Sequence, residues 1–407
     1  VHPSEPTDGY LVEALSRLLG RPVAAEEIGL VGTTPGGAFE WRADTLAALH
    51  ELGRADLDVR RRRALTAAAY SVAGLSVPGP AWWTWMAEKS AARPATSRRH
   101  VGHRDLAAVR DMVAMLSAID QRHGGGHARS AVVQYLTTDV NTYLHGRFTD
   151  DHVRREMFSA ASELAYLSGW MAFDNGEHSV AQRYFTMALS LAAEGDDAPM
   201  AGHVLRAMAH QAVDLGHPRR ALNVAVASVE GRRYALASSR ERALLGVVHA
   251  RALAANGQKA AAAAALVRAE DDLASARPGD DEPARVFFFG EASLAHETAC
   301  TLRDTGDLAG AQREFRRSVR TRKADSFTRT HAVTLGYLGA VQARQGAIEE
   351  ACTTWSDALD VMDGIHSART RRTVADMRRA LSTVRGRGIT AVAELDRRAA
   401  QYLVESA

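Results

Sequence analysis

His123 and His127 stand four apart, a spacing that on one helical turn would aim two imidazoles at a single metal ion. Gly124, Gly125 and Gly126 fill the gap, and three successive glycines argue against the continuous helix such a pair needs. The same glycine run is no phosphate loop, because no Lys-Ser or Lys-Thr follows it and no strand pattern precedes it. His203 and His210, seven apart, can share a helix face, but no Cys pair or carboxylate completes a ligand set around them. The two cysteines, Cys300 and Cys352, have no metal spacing and fall within apolar helical patterns, so they read as buried, reduced thiols of a cytoplasmic protein. Neither a Ser elbow nor a Cys/His nucleophile pattern stands out. The expectation is a non-enzymatic protein with no cofactor and no metal.

Side chains that bind rather than react need elements to hold them, and the chain supplies these by repetition. Gly176 is followed by Ala181 at five, Phe185 at nine and Ala188 at twelve. The grammar returns at Gly216 with Ala221, Ala225 and Ser228, and at Gly257 with Ala262, Leu266 and Ala269. It returns again at Gly306 with Ala311, Phe315 and Ser318, and at Gly346 with Ala351, Trp355 and Ala358. Gly386 begins it once more and breaks it at Arg398, as a terminal cap would. Seven residues before the first five glycines sit Gly169, Ala209, Ala250, Ala299 and Gly339. Small residues there let two helix backbones approach, and the glycine stops the first helix in a left-handed turn. The large residue at the ninth place is expected to pack into the next unit. A constant period of this size marks a helical solenoid.

Small residue, turn, Ala, aromatic, Ala: this resembles the tetratricopeptide repeat, whose usual period of about 34 residues is lengthened here. The predicted fold is all-α, a tetratricopeptide-like α-solenoid of antiparallel helix pairs preceded by a small helical N-terminal segment. In such a repeat the inner groove is lined by the first helices. With the small residue as the eighth position, the second, fifth, ninth, twelfth and thirteenth positions face inward. That register selects Glu163, Tyr166, Trp170, Phe173 and Asp174 in the first pair. It selects His203, Arg206, His210, Val213 and Asp214 in the second, Arg251 in the third, His296, Cys300, Arg303 and Asp304 in the fourth, and Arg344 in the fifth. Aromatic rings beside Arg and His make a seat for an extended peptide or protein segment, with Arg gripping carboxylates or backbone carbonyls.

The remainder reads more coarsely. Trp41 to Leu52 and Val59 to Val72 read as helices, and Arg60 to Arg63 as a solvated, locally paired face after Asp56 and Asp58. Pro78-Gly79-Pro80 breaks the chain before Trp82, Trp83 and Trp85, which read as a packing anchor. The formal net charge of +2 gives no bulk attraction to nucleic acid. No apolar run approaches the roughly 18–20 residues that cross a bilayer, and the N-terminus lacks the basic and apolar regions of a secretion signal.

The stretch YLVEALSRLLGRPVAAEEIGL, from Tyr10 to Leu30, resembles the last two helices of an Xre-type helix-turn-helix domain. DQRHGGGHARSAVVQYL, LSGWMAFDNGEHSVAQRYFTMALSLA and MAHQAVDLGHPRRAL are similar to the C-terminal half of bacterial regulators that join such a domain to a tetratricopeptide array. The resemblance implies a helix-turn-helix remnant over 1–30, a helical linker region over 31–100 and a repeat domain over 101–407. It implies a cytoplasmic transcriptional regulator, homodimeric, with a peptide, protein or small ligand in its concave groove. DNA would be touched only by helices expected before Val1. The alternative is an interaction scaffold with no DNA role.

Overall fold

The computed structural model describes residue 15, residue 41 and residues 43–68, 70–277, 279–384 and 390–406. The helix-turn-helix stretch (Leu15 apart), the loop at Thr33 to Gly37 and the turn at Gly386 lie outside the described residues. The chain divides into two compact units. The first comprises Val1–Met115, Arg129–Phe173 and Glu177–Ala237, and the second Leu116–Ala128, Asp174–Gly176 and Ser238–Ala407.

The fold is all-α and tetratricopeptide-like. Two antiparallel helix pairs belong chiefly to the first unit: Asp151–Asp174 with His178–Glu194, and Ala198–Asp214 with Pro218–Ser228. Four form the second: Ser239–Ala255 with Lys259–Ser275, Glu291–Thr305 with Leu308–Thr321, Thr328–Arg344 with Ile348–Val361, and Ala368–Ser382 with Thr390–Glu405. The glycine at each of the first five turns is left-handed, with φ between 77° (Gly216) and 96° (Gly306), a conformation that only glycine adopts at no steric cost. The sole strands among the described residues are His100–Val101 and Arg147–Phe148, paired in parallel.

The pairs close where the small residues lie. A methyl group at Gly169 would sit 2.8 Å from Phe185 Cδ1 and 3.1 Å from the Ala181 carbonyl oxygen. One at Gly339 would sit 2.5 Å from Trp355 Nε1, and that indole N–H donates to the Gly336 carbonyl at 3.0 Å. The ninth-place aromatics Phe185 and Trp355 therefore pack against the glycine of their own hairpin's first helix, and Trp355 also joins the core completed by Val374 and Met377 of the following pair. Space left by a missing Cβ is the nearest apolar site a large ring can reach. Phe315 likewise shares a core with Leu338 and Val341 of the following first helix. In the third pair a methyl group at Gly246 would sit 3.0 Å from Ala269 Cβ, one turn before the buried Ala250.

Ahead of the repeats, Asp44 caps Thr45–Leu57 through the Ala47 N–H, and Asp58 caps Val59–Ala67 through Arg60 and Arg61. This is the local pairing expected of the arginine run, completed by Arg62 at 3.3 Å from Asp56. The tryptophans anchor helix Pro80–Ala91, which packs on His178–Glu194. Trp82 Nε1 donates to the Trp41 carbonyl at 2.7 Å, and the Arg233 guanidinium lies 4.9 Å from the Trp83 ring.

Each unit also buries an ion cluster that periodicity does not reveal. In the first, Asp56 accepts from Arg129 at 2.8 Å and from the Tyr184 hydroxyl at 3.0 Å, while Arg129 also holds Glu177 at 2.8 Å. Burial, with Asp56 beside it, raises the Tyr184 pKa well above its usual value. In the second, Arg329 sits between Asp120 at 3.0 Å and Asp174 at 3.4 Å, and all three are essentially excluded from solvent. Burial raises the Asp120 pKa to about 6; Arg329 opposes the shift and Asp174 adds to it. Asp174 further accepts from the Gly125 N–H at 3.0 Å, so a carboxylate holds the triple-glycine turn.

Two substitutions test this packing. Ala181→Leu should lower the melting temperature, because overpacking so tight a crossing costs about 1–3 kcal/mol; an unchanged thermal midpoint by circular dichroism would refute the crossing. Arg329→Met, which leaves two carboxylates buried without their cation, should cost about 3–5 kcal/mol in urea unfolding.

Candidate functional site

The expected groove residues gather on two faces, one in each unit, and each face is built by first helices lying side by side. In the first unit, helix Asp151–Asp174 presents Tyr166 and Trp170 to His203, Arg206 and His210 of Ala198–Asp214. The Arg206 guanidinium lies 5.5 Å from the Tyr166 ring and 5.4 Å from the Trp170 ring. It donates to the Tyr166 hydroxyl and meets His203 Nε2 at 3.1 Å. Tyr166 stacks on Trp170 at 6.3 Å and stands edge-on to His203 at 4.5 Å. Trp170 is edge-on to His210 at 5.8 Å, and His210 faces Asp214 at 3.6 Å. His203, Arg206 and His210 are buried, whereas Tyr166, Trp170 and Asp214 keep part of their surface exposed.

Glu163 lies on the same helix and is buried against Arg110, which also holds Glu156 at 2.8 Å. Both carboxylates raise the Arg110 pKa against the opposing effect of burial. Asp174 differs from the expectation: fully buried in the second unit between Arg329 and Gly125, it takes a structural place at the end of its helix.

In the second unit, His296 Nδ1 bonds the Thr334 hydroxyl at 2.8 Å and its ring stacks on Tyr337 at 5.8 Å. The Arg303 guanidinium lies 5.2 Å from the same Tyr337 ring and its Nη2 pairs with Asp304 at 2.8 Å. Arg251 approaches Glu297 at 3.8 Å. Arginine over tyrosine beside histidine thus occurs in both units. Tyr337 escaped the sequence reading because it occupies the sixth repeat position, one residue past the inward fifth; its signal was an aromatic near the middle of a first helix.

Cys300 Sγ lies 3.8 Å from His296 Nε2, yet the pair is not an activated nucleophile. Burial pushes the Cys300 thiol up to about 12. Burial, reinforced by Arg322, Arg369, Arg251 and Arg303, holds the imidazole well below its usual range. Both groups are therefore neutral at pH 7, whereas thiolate chemistry needs the opposite shifts. His123 and His127 stand 5.0 Å apart, and no three His, Cys, Asp or Glu among the described residues are placed to hold a metal. Among these residues no helix is long and apolar enough to cross a membrane. The geometry suits recognition by stacking and charge-assisted hydrogen bonds.

No family model matches the sequence, and no curated protein matches it. Among solved structures the chain is similar to a Rap protein determined in complex with competence and sporulation factor. The two share 12% identity over 74% of this chain and 100% of that one, with a TM-score of 0.41.

The state of His296 sets a pH dependence. Its folded-state pKa is depressed, so below about pH 6.5 the unfolded chain takes up a proton that the folded chain refuses. The folded state therefore loses stability as the pH falls through that value. Between pH 7.5 and 5.5 the wild type should lose about 1 kcal/mol more than His296→Gln, measured by urea denaturation at each pH. Parallel curves would contradict a neutral buried imidazole.

Proposed function

We propose that this chain is a non-enzymatic helical-repeat receptor that binds a peptide or protein segment on the first-helix face of its first unit. The observation that carries the reading is the Arg206 guanidinium held over Tyr166 and Trp170 while part of both rings stays exposed. A planar cation flanked by aromatic faces suits a carboxylate or backbone carbonyl, and the exposed indole suits an apolar side chain of the same segment. The second unit, with Arg303 over Tyr337 beside His296, offers the same chemistry, and Arg251 belongs to that face.

The finer reading is a cytoplasmic transcriptional regulator. On it, the chain dimerises, binds its ligand through these faces and reaches DNA through N-terminal helices preceding Val1. Its support is the similarity of Tyr10 to Leu30 to the close of an Xre-type helix-turn-helix, together with the repeat array that follows.

Trp170→Ala and Arg206→Lys should each weaken binding of the natural ligand about tenfold, the loss of one stacked or bidentate contact, with helicity unchanged by circular dichroism. Calorimetry showing wild-type affinity in both variants would remove this face from the site. A gel shift of genomic fragments with the full-length gene product tests the DNA role. Ligand binding without a retained fragment would leave an interaction scaffold.

A further inference from the structure

The interval from Gly257 to Gly306 is 49 residues where the others are 40 or 41. The additional chain delivers Phe287, Phe288 and Phe289 to the start of helix Glu291–Thr305. There the second unit forms an open cavity of about 700 Å³. One wall is aromatic. Phe287 is 45% exposed, and its ring centroid lies 6.0 Å from those of Phe288 and Phe327. The other lining is cationic: Arg122, Arg240, Arg322 and Lys323. Two carboxylates also reach it, Glu291, which Arg317 holds at 3.1 Å, and the exposed Asp325.

Two independent features mark the place of an anion. Arg322 is only 8% exposed. Its Nη2 donates to the Ala292 carbonyl at 2.9 Å and to the Ser318 hydroxyl at 3.0 Å, its Nε has no hydrogen-bond partner, and among the described residues no carboxylate stands within ion-pairing distance. Burial lowers its pKa to about 10, with Glu297 opposing. A buried guanidinium with no carboxylate in ion-pairing contact is costly, and an incoming anion relieves that cost. Second, the first turn of Glu291–Thr305 borders the cavity, and its N-cap, Gly290, has no side chain to satisfy the free N–H groups. Such a terminus favours negative charge.

We propose that this cavity binds a small aromatic anion, its carboxylate or sulfonate seated by Arg322 and the uncapped turn at Gly290 and its ring against Phe287, Phe288 and Phe327. Arg122 and Lys323, exposed at the rim, draw the anion in. The site uses neither Trp170 nor Arg206, so it stands or falls apart from the receptor face.

The test is a fluorescence titration of the purified chain with 8-anilinonaphthalene-1-sulfonate, followed by competition. Saturable binding should be displaced by phenylacetate at a concentration about tenfold lower than needed for neutral phenylacetamide or inorganic phosphate. The Arg122→Ala/Lys323→Ala pair and Phe287→Ala, all at exposed positions, should each weaken the dye about three- to tenfold. Trp170→Ala should leave it unchanged. Equal competition by phenylacetamide or phosphate, no response to the rim variants, or loss of the dye in Trp170→Ala would each overturn the proposal. Arg322→Met should abolish binding; should its helicity also fall, the rim variants and the competition series decide.

Discussion

Everything in this fold depends on how closely two helix backbones can approach. At Gly169 and Gly339 the approach leaves no room for a methyl group, and the space goes to the Phe185 and Trp355 rings from the partner helix. This makes the crossing dry and specific: a ring filling the place of a missing Cβ gains dispersion contacts on all sides, and no other register offers that fit. With hairpins closed by small residues at the crossing, each first helix is free to lie beside the next first helix. That side-by-side contact assembles Tyr166 with Arg206, and His296 with Thr334.

The buried ion clusters act on a different level. Asp56–Arg129–Glu177 in the first unit and Asp120–Arg329–Asp174 in the second join residues distant in the chain. Buried ion pairs of this kind add little net stability over apolar packing, because desolvation offsets their attraction. Their consequence is selectivity, since any arrangement that separates Arg329 from both aspartates strands three charges in an apolar interior. The Gly124–Gly126 turn gains a fixed geometry from the same cluster, through Asp174 on the Gly125 N–H.

Charge and aromaticity are distributed in a way that separates recognition from catalysis. Where Cys300 meets His296, burial keeps both neutral, with the surrounding arginines adding to the effect on the imidazole and opposing it on the thiol, which removes nucleophilic chemistry. Where Arg206 meets Tyr166 and Trp170, the guanidinium lies over rings that remain partly open. The same residue types thus serve packing or binding according to how much water reaches them.

The sequence by itself determined the helix pairs, their turns and their closing residues. Those depend on contacts within about forty residues, and glycine, alanine and ring positions carry them directly. It also brought Tyr166, Trp170, His203, Arg206 and His210 together, because neighbouring first helices share one register. Only the tertiary structure decided that Asp174 serves Arg329 and that Tyr337 joins His296 and Arg303. It also decided that Arg322 is buried with no carboxylate in ion-pairing contact among the described residues. Each of these rests on a helix rotation of a fraction of a turn or on a pairing across more than a hundred residues, and a one-dimensional period records neither.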